Sequence, residues 1–199
     1  LLIGVYQFGN IINKNLKFDI ILKKFSHIPF VNLLVGLYFL GYALFFLSLF
    51  GVAFKIVLQI IGFLLIILAL YQVLRIKTFF NKFIYELKLS IKNFYLLIVI
   101  IILFLYFIIS SSPITNADAL DYHTSVPIYI LNTGSFPSDW SWFHSKQAGT
   151  GELLIALGLS IGAEQFGNLS QFSGLIALVS FFLYLGNRKN NKNKIVELI

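Results

Sequence analysis

Residues 30–54 read FVNLLVGLYFLGYALFFLSLFGVAF, 25 residues without one charged side chain. A helix needs about 20 consecutive apolar residues to cross the hydrocarbon core of a bilayer. This run is long enough to cross with some tilt. Lys55 separates it from residues 56–73, a second uncharged run of 18. Residues 94–109 form a third run of 16, which Ser110, Ser111 and Ser112 can extend as interfacial residues. A fourth span covers residues 167–185, where Gly167, Ser170, Ser173, Gly174 and Ala177 would admit a close helix neighbour.

Composition agrees with this pattern. The chain is 58% apolar and 17% aromatic but only 12% charged, and its mean hydropathy is +0.87. An ordinary soluble domain carries about 25% charged residues, so much of this surface is expected to face lipid. The net charge of +7 does not point to nucleic acid, because the basic residues flank apolar spans, where the positive-inside rule puts them. The absence of cysteine removes disulfides and thiolate metal sites. The chain begins at Leu1 and contains no methionine, which reads as an N-terminal fragment of a longer protein.

Charge bias orients the spans. Arg75, Lys77, Lys82, Lys88 and Lys92 lie between the second and third, opposed only by Glu86. Arg188, Lys189, Lys192 and Lys194 follow the fourth as a solvated basic loop. Between residues 110 and 152 the only basic residue is Lys146, against Asp118, Asp121, Asp139 and Glu152. Basic loops stay cytoplasmic, so the acidic loop faces the other side. Residues 153–163 are apolar but short. Runs of 10–14 are more often interfacial or re-entrant than spanning, and this one is expected to lie along the outer membrane surface, with Glu152 and Glu164 in or near water.

The expected fold is all-α: a polytopic transmembrane helical protein with an outer loop carrying short interfacial helices. Its parts are an amphipathic or cytoplasmic segment (1–29), a two-span hairpin (30–75), a basic cytoplasmic loop (76–93) and a span (94–112). A non-cytoplasmic loop (113–166), a last span (167–186) and a basic cytoplasmic segment (187–199) follow. Segment 1–29 carries Lys14, Lys17, Lys23 and Lys24 among apolar residues. It fits a surface-lying helix or the tail of an upstream span equally well.

The outer loop concentrates the chemistry. It holds three of the four prolines, both tryptophans and two of the three histidines. Trp140, Trp142 and Phe143 suit an interfacial aromatic belt. Residues 116–132 read as a helix, with Asn116 as N-cap, Gly134 and Pro137 as stop signals, and a kink or restart at Pro127. On that helix Asp118, Asp121, Tyr122, Ser125, Tyr129 and Asn132 share one face, while Leu120, Thr124, Ile128 and Leu131 form a more apolar side. A carboxylate in the first turn is favoured by the helix dipole and can take a proton from an attacking hydroxyl or amine. Tyr122 and His123 can hold it in place or share the proton. The plainer alternative is a helix cap at Asp118 beside solvated Asp121 and His123. Asp118, Asp121, His123, Asp139, His144 and Glu152 also offer ligands suited to Mg, Mn or Zn. A divalent cation is therefore open as a cofactor, although no spacing is diagnostic. There is no G-x-S-x-G, no Walker and no dinucleotide glycine pattern.

The run Asp118-Ala119-Leu120-Asp121-Tyr122-His123 resembles the D-A-L-x-Y-H opening of the first outer loop in GT-C-type membrane glycosyltransferases, the protein-mannosyltransferase and aminoarabinose-transferase relatives. The order afterwards is similar too. Gly134-Ser135-Phe136-Pro137 is followed by an aromatic patch at 140–144, a short surface helix at 152–162, and a span ending Leu183-Tyr184-Leu185-Gly186-Asn187-Arg188. The resemblance covers residues 94–188. Two features depart from it: Gly149-Thr150-Gly151-Glu152 replaces the paired prolines of the surface helix, and two spans precede the usual first one.

The resemblance implies a transferase in a bacterial inner (plasma) membrane. It would move a sugar from a polyprenyl-phosphate donor to an acceptor lipid, glycan or protein, without nucleic acid as partner. Asp118 would be the acceptor-activating base, and Tyr122 and His123 match motif positions. Asp121, His144 and Glu152 are candidates for substrate contact. The alternative is a non-catalytic polytopic membrane protein, either a transporter subunit or an assembly factor. The transporter form expects ionisable residues inside the membrane, and the four spans contain none.

Overall fold

In the computed structural model, residues 1–16, 31–73, 94–113, 115, 119–138 and 149–190 are described. Every regular element among them is helical. The uncharged run 30–54 becomes α2 (Val31–Leu49), which turns back into α3 (Lys55–Val73). Gly51 makes the turn at φ +69°. Its N–H reaches Ser48 O at 3.1 Å and the Val52 N–H reaches Leu47 O at 2.9 Å. This paired pattern closes a helix around a left-handed residue, which glycine adopts without steric cost.

Helices α2 and α3 each contain 19 residues, about 28 Å at 1.5 Å per residue. Both are long and apolar enough to cross a membrane. Ile56, Ile60, Phe63, Leu64, Ile67 and Leu70 of α3 are exposed, a surface that suits lipid better than water. Further along, α4 (Phe94–Ser111) also exposes Ile101, Ile102, Phe104 and Leu105.

Helix α1 (Leu2–Asn15) packs against α2 and α3 along Gly4, Val5, Gly9 and Asn13. A Cβ on Gly4 would overlap the Leu65 carbonyl, one on Gly9 the Asn32 carbonyl, and one on Gly36 the Val5 carbonyl. Among lipid tails apolar side chains gain little by meeting each other, so backbone approach through small residues is what holds such helices together. The Asn13 side-chain amide donates to Asn32 Oδ1 at 3.1 Å. Asn13 therefore lies at the start of α2 and Val5 further along it, which makes α1 antiparallel to α2.

The second half contributes α5 (Ser125–Thr133), α6 (Thr150–Ser160) and α7 (Phe166–Asn190), with a π-helical turn at Ala119–Thr124 before α5. Helix α7 meets α4, α6 and α2. Gly167, Ser170, Ser173 and Ala177 are buried, and a Cβ on Gly167 would overlap Ile155 of α6. The Ser170 and Ser173 hydroxyls donate to the carbonyls of Phe166 and Ser170 within their own helix, so they cost the interface no unpaired donor.

Three expectations are corrected. The segment after Glu152 is not laid open as a surface helix: α6 is wedged among α2, α3, α5 and α7, with Leu153, Ile155, Ala156, Leu157 and Gly158 buried. Its glycine and alanine let neighbours close on every side. Residues 187–190 are not a loop but the last turn of α7, since nothing after Gly186 breaks a helix and Arg and Lys are good helix formers. Within the expected helix over 116–132, the described part is the π turn followed by α5 from Ser125, so the break falls before Pro127 rather than at it, while residues 116–118 lie outside the described residues.

Candidate functional site: a buried carboxylate against a wide helical turn

Pro127 decides the local shape. Thr124 caps α5, so Pro127 occupies the third helical position, where its missing N–H is no loss. Its ring would crowd the carbonyl four residues earlier, that of His123, in a regular helix. The chain before it is wound wider instead, as the π turn. Such turns often mark functional positions. The expected restart at Pro127 thus occurs two residues sooner, at Ser125.

The far end of α5 is fixed at Gly134, with φ +76° and its N–H on Ile130 O at 2.7 Å. The Gly134 carbonyl accepts the Ala53 N–H at 2.9 Å, and a Cβ on Gly134 would press on the Gly51 carbonyl at 2.6 Å. Helix α5 is therefore pinned to the α2–α3 turn, and the Phe136 ring rests 5.5 Å from that of Phe45. Its inward face is Val126, Pro127 and Ile130. Leu120 and Ile128, expected on one apolar side, are exposed.

His123 precedes that inward face by three residues and faces α6. Its Nδ1 lies 3.1 Å from Glu152 Oε1. Glu152 Oε2 accepts the Gly149 N–H at 2.9 Å, tying the carboxylate to the first turn of α6, where a negative charge meets the positive end of the helix dipole. The Glu152 side chain is 9% exposed and that of His123 is 40% exposed. Glu152 was expected in or near water; it is instead buried. A buried carboxylate is tolerated when partners replace its water, and here both oxygens have one.

The pair also sits deep along α2. Thr150 packs on Gly41, eight residues before Leu49, or about 12 Å along the axis. The other end of α6 is tied to α3, where the Gln59 side chain donates to Ser160 O at 2.9 Å. The four spans read from the sequence contain no ionisable side chain; Glu152 stands on α6, which packs among α2, α3, α5 and α7.

Of the other candidates, Asp118 and His144 lie outside the described residues, as do Asn116, Asp139 and Trp140 to Phe143. For Asp121 and Tyr122 only the backbone, in the π turn, is described. Among the described residues no three His, Asp or Glu side chains gather where a cation could sit, and His123 with Glu152 make two. A separate apolar groove of about 390 Å³ runs between α4 and α7, lined by Val99, Ile102, Leu103, Tyr106, Leu175 and Val179.

Residues 71–197 match the family described as the DUF1420 N-terminal domain. The chain belongs to that family. The matched stretch begins near the end of α3 and takes in α4, the π turn, α5, α6 and α7, and so includes both His123 and Glu152. No curated protein and no solved structure matches the chain.

The α5 face could have been found from sequence. Val126, Ile130 and Gly134 stand four apart, with His123 three before, a stronger inward signal than the stripe counted from Asp118. Glu152 stands three residues after Gly149, the place from which a Glu side chain reaches back to the N-cap N–H.

Proposed function

We propose that the chain is part of a polytopic membrane glycosyltransferase of the GT-C type. It would transfer a sugar from a polyprenyl-phosphate donor to an acceptor on the non-cytoplasmic face of a bacterial inner membrane. The observation that carries this reading is the His123–Glu152 contact. It anchors the end of the Asp118-Ala119-Leu120-Asp121-Tyr122-His123 run to a buried carboxylate among apolar helices, where a reacting sugar would be screened from bulk water.

In this reading Asp118 takes the proton of an acceptor hydroxyl or amine as its oxygen or nitrogen attacks the anomeric carbon. The bond from that carbon to the phosphate oxygen breaks, and polyprenyl phosphate leaves with the electron pair. A single displacement of this kind inverts the anomeric centre. Tyr122 and His123 are assigned to hold the base or share its proton, and Asp121 and His144 to contact sugar or acceptor.

Helix packing supports the orientation taken from charge. Gly134 rests on the α2–α3 turn, so the acidic loop shares an end with Lys55. Asn13 pairs with Asn32 at the opposite end, which puts neighbouring Lys14 at the end expected to be cytoplasmic. General-base catalysis contributes about 10²–10⁴-fold. Asp118→Asn in the whole protein should lower transfer from a polyprenyl-phosphate hexose by that factor with unchanged membrane insertion. Undiminished transfer would remove Asp118 from the role.

A second reading, a proton-coupled transporter subunit, is favoured by Glu152 itself, since an ionisable side chain buried among spans often marks an ion path. Substrate uptake into proteoliposomes that ceases with Glu152→Gln, from a wild type without sugar transfer, would select it.

A further inference from the structure

Leu34, Tyr38, Tyr42 and Phe46 stand four residues apart along α2, and all four are exposed. Side chains at that spacing form one ridge down a helix. The two phenols lie at its middle. Tyr38 is seven residues from Val31 and Tyr42 is seven from Leu49, about 10 Å from either end of α2. With α2 across a bilayer the pair sits at the midplane. Tyrosines of membrane helices otherwise collect at the interface, where the hydroxyl meets water.

The two rings stand 4.7 Å apart, centroid to centroid, and the side chains share a hydrogen bond. Each phenol carries one O–H. A single bond between two phenols therefore engages one O–H and leaves the other without an acceptor. Among the described residues neither hydroxyl has a further partner. Hydrocarbon supplies none, and an unbonded hydroxyl there is strongly disfavoured.

We propose that this ridge is a two-fold interface between two copies of the protein, closed by a ring of four phenols. Where Tyr38 donates to Tyr42 within each copy, Tyr42 keeps an unused O–H and Tyr38 an unused lone pair. Across the axis Tyr42 donates to the partner's Tyr38, and the partner's Tyr42 donates to Tyr38. Every O–H then has an acceptor, and the count is the same with the inner bond reversed. A two-fold interface sets one patch against itself, so the group left over on one copy meets the group it lacks on the other. Shape agrees with chemistry, because ridges of four-residue spacing interlock with ridges of the same spacing, and a second α2 presents one. An unrelated helix would have to carry its own acceptor to this depth. The inference does not depend on the transferase reading.

The experiment is single-molecule photobleaching of the full-length protein, one fluorophore per chain, in phospholipid liposomes over a range of protein-to-lipid ratios. The wild type should pass from one bleaching step to two as its density rises. Tyr38→Phe combined with Tyr42→Phe keeps both rings and removes both hydroxyls. It should weaken the dimer about tenfold, the loss of two hydrogen bonds of the strength usual between membrane helices. The place of contact is read from Leu34→Cys and Phe46→Cys, made separately in full-length protein otherwise free of cysteine and treated with a short bis-maleimide. Each should link two chains, while Ile60→Cys, on the exposed face of α3, should not. A wild type that stays monomeric at every density overturns the proposal even if the variants do not fold. So does a dimer linked through Ile60→Cys and neither α2 cysteine, and so does an undiminished dimer without the two hydroxyls.

Discussion

At Glu152 burial and hydrogen bonding oppose each other. Burying a carboxylate costs several kcal/mol even after relaxation, and two hydrogen bonds from His123 and Gly149 offset much of it. Removing His123 alone should therefore cost more than removing His123 together with the carboxylate. His123→Ala is expected to destabilise the folded protein by about 1–3 kcal/mol, because it strips a buried charge of its partner. His123→Ala combined with Glu152→Leu should be milder than the sum of its parts. A double-mutant cycle read by denaturant unfolding in detergent checks this, and a coupling of about 1 kcal/mol is expected. Strict additivity would show that the 3.1 Å contact carries no energy.

Among the elements, the π turn and α6 do the positioning, and they are also where sequence reasoning met its limits. The α2–α3 hairpin and the stop at Gly134 were legible because a long uncharged run and a glycine each have one dominant physical reading. The helix over 116–132 was not. A count at 3.6 residues per turn from Asp118 assumes a regular helix, and Pro127 imposes a wider turn before it. Positions 119–124 are thereby rotated, which is why Leu120 faces outward while His123 faces α6. Helix α6 was misplaced for another reason. A charge beside a short apolar run usually reaches water, and only the partners that replaced water, His123 and the Gly149 N–H, show why Glu152 does not. Pro127→Ala tests the device. It restores an N–H and removes the ring, so the turn can close to an ordinary helix. His123 should then swing from Glu152 and hexose transfer should fall at least tenfold, while stability stays level or rises. Unchanged transfer with an unchanged His123 NMR signal would show that the π turn does not depend on proline.

For the whole molecule, the proposed orientation rests on a charge gradient in the sequence: basic segments assigned to the cytoplasmic side and an acidic, aromatic loop to the other. The two helices long enough to cross a membrane, α2 and α3, set the axis. Helix α1 joins them through glycine contacts, and α5, α6 and α7 build the second half around the Glu152 carboxylate. That arrangement brings a depth to the site which the charge pattern alone does not give. Were the acidic loop on the basic side, the donor lipid, the acceptor and the role of Asp118 would all be misassigned. The absence of native cysteine from the chain makes the decisive measurement clean in this region: single cysteines placed at Ser138 and at Lys82, challenged with a membrane-impermeant maleimide on intact cells. Ser138→Cys should be labelled from outside and Lys82→Cys only after permeabilisation. The reverse pattern would contradict the orientation and the proposed site together.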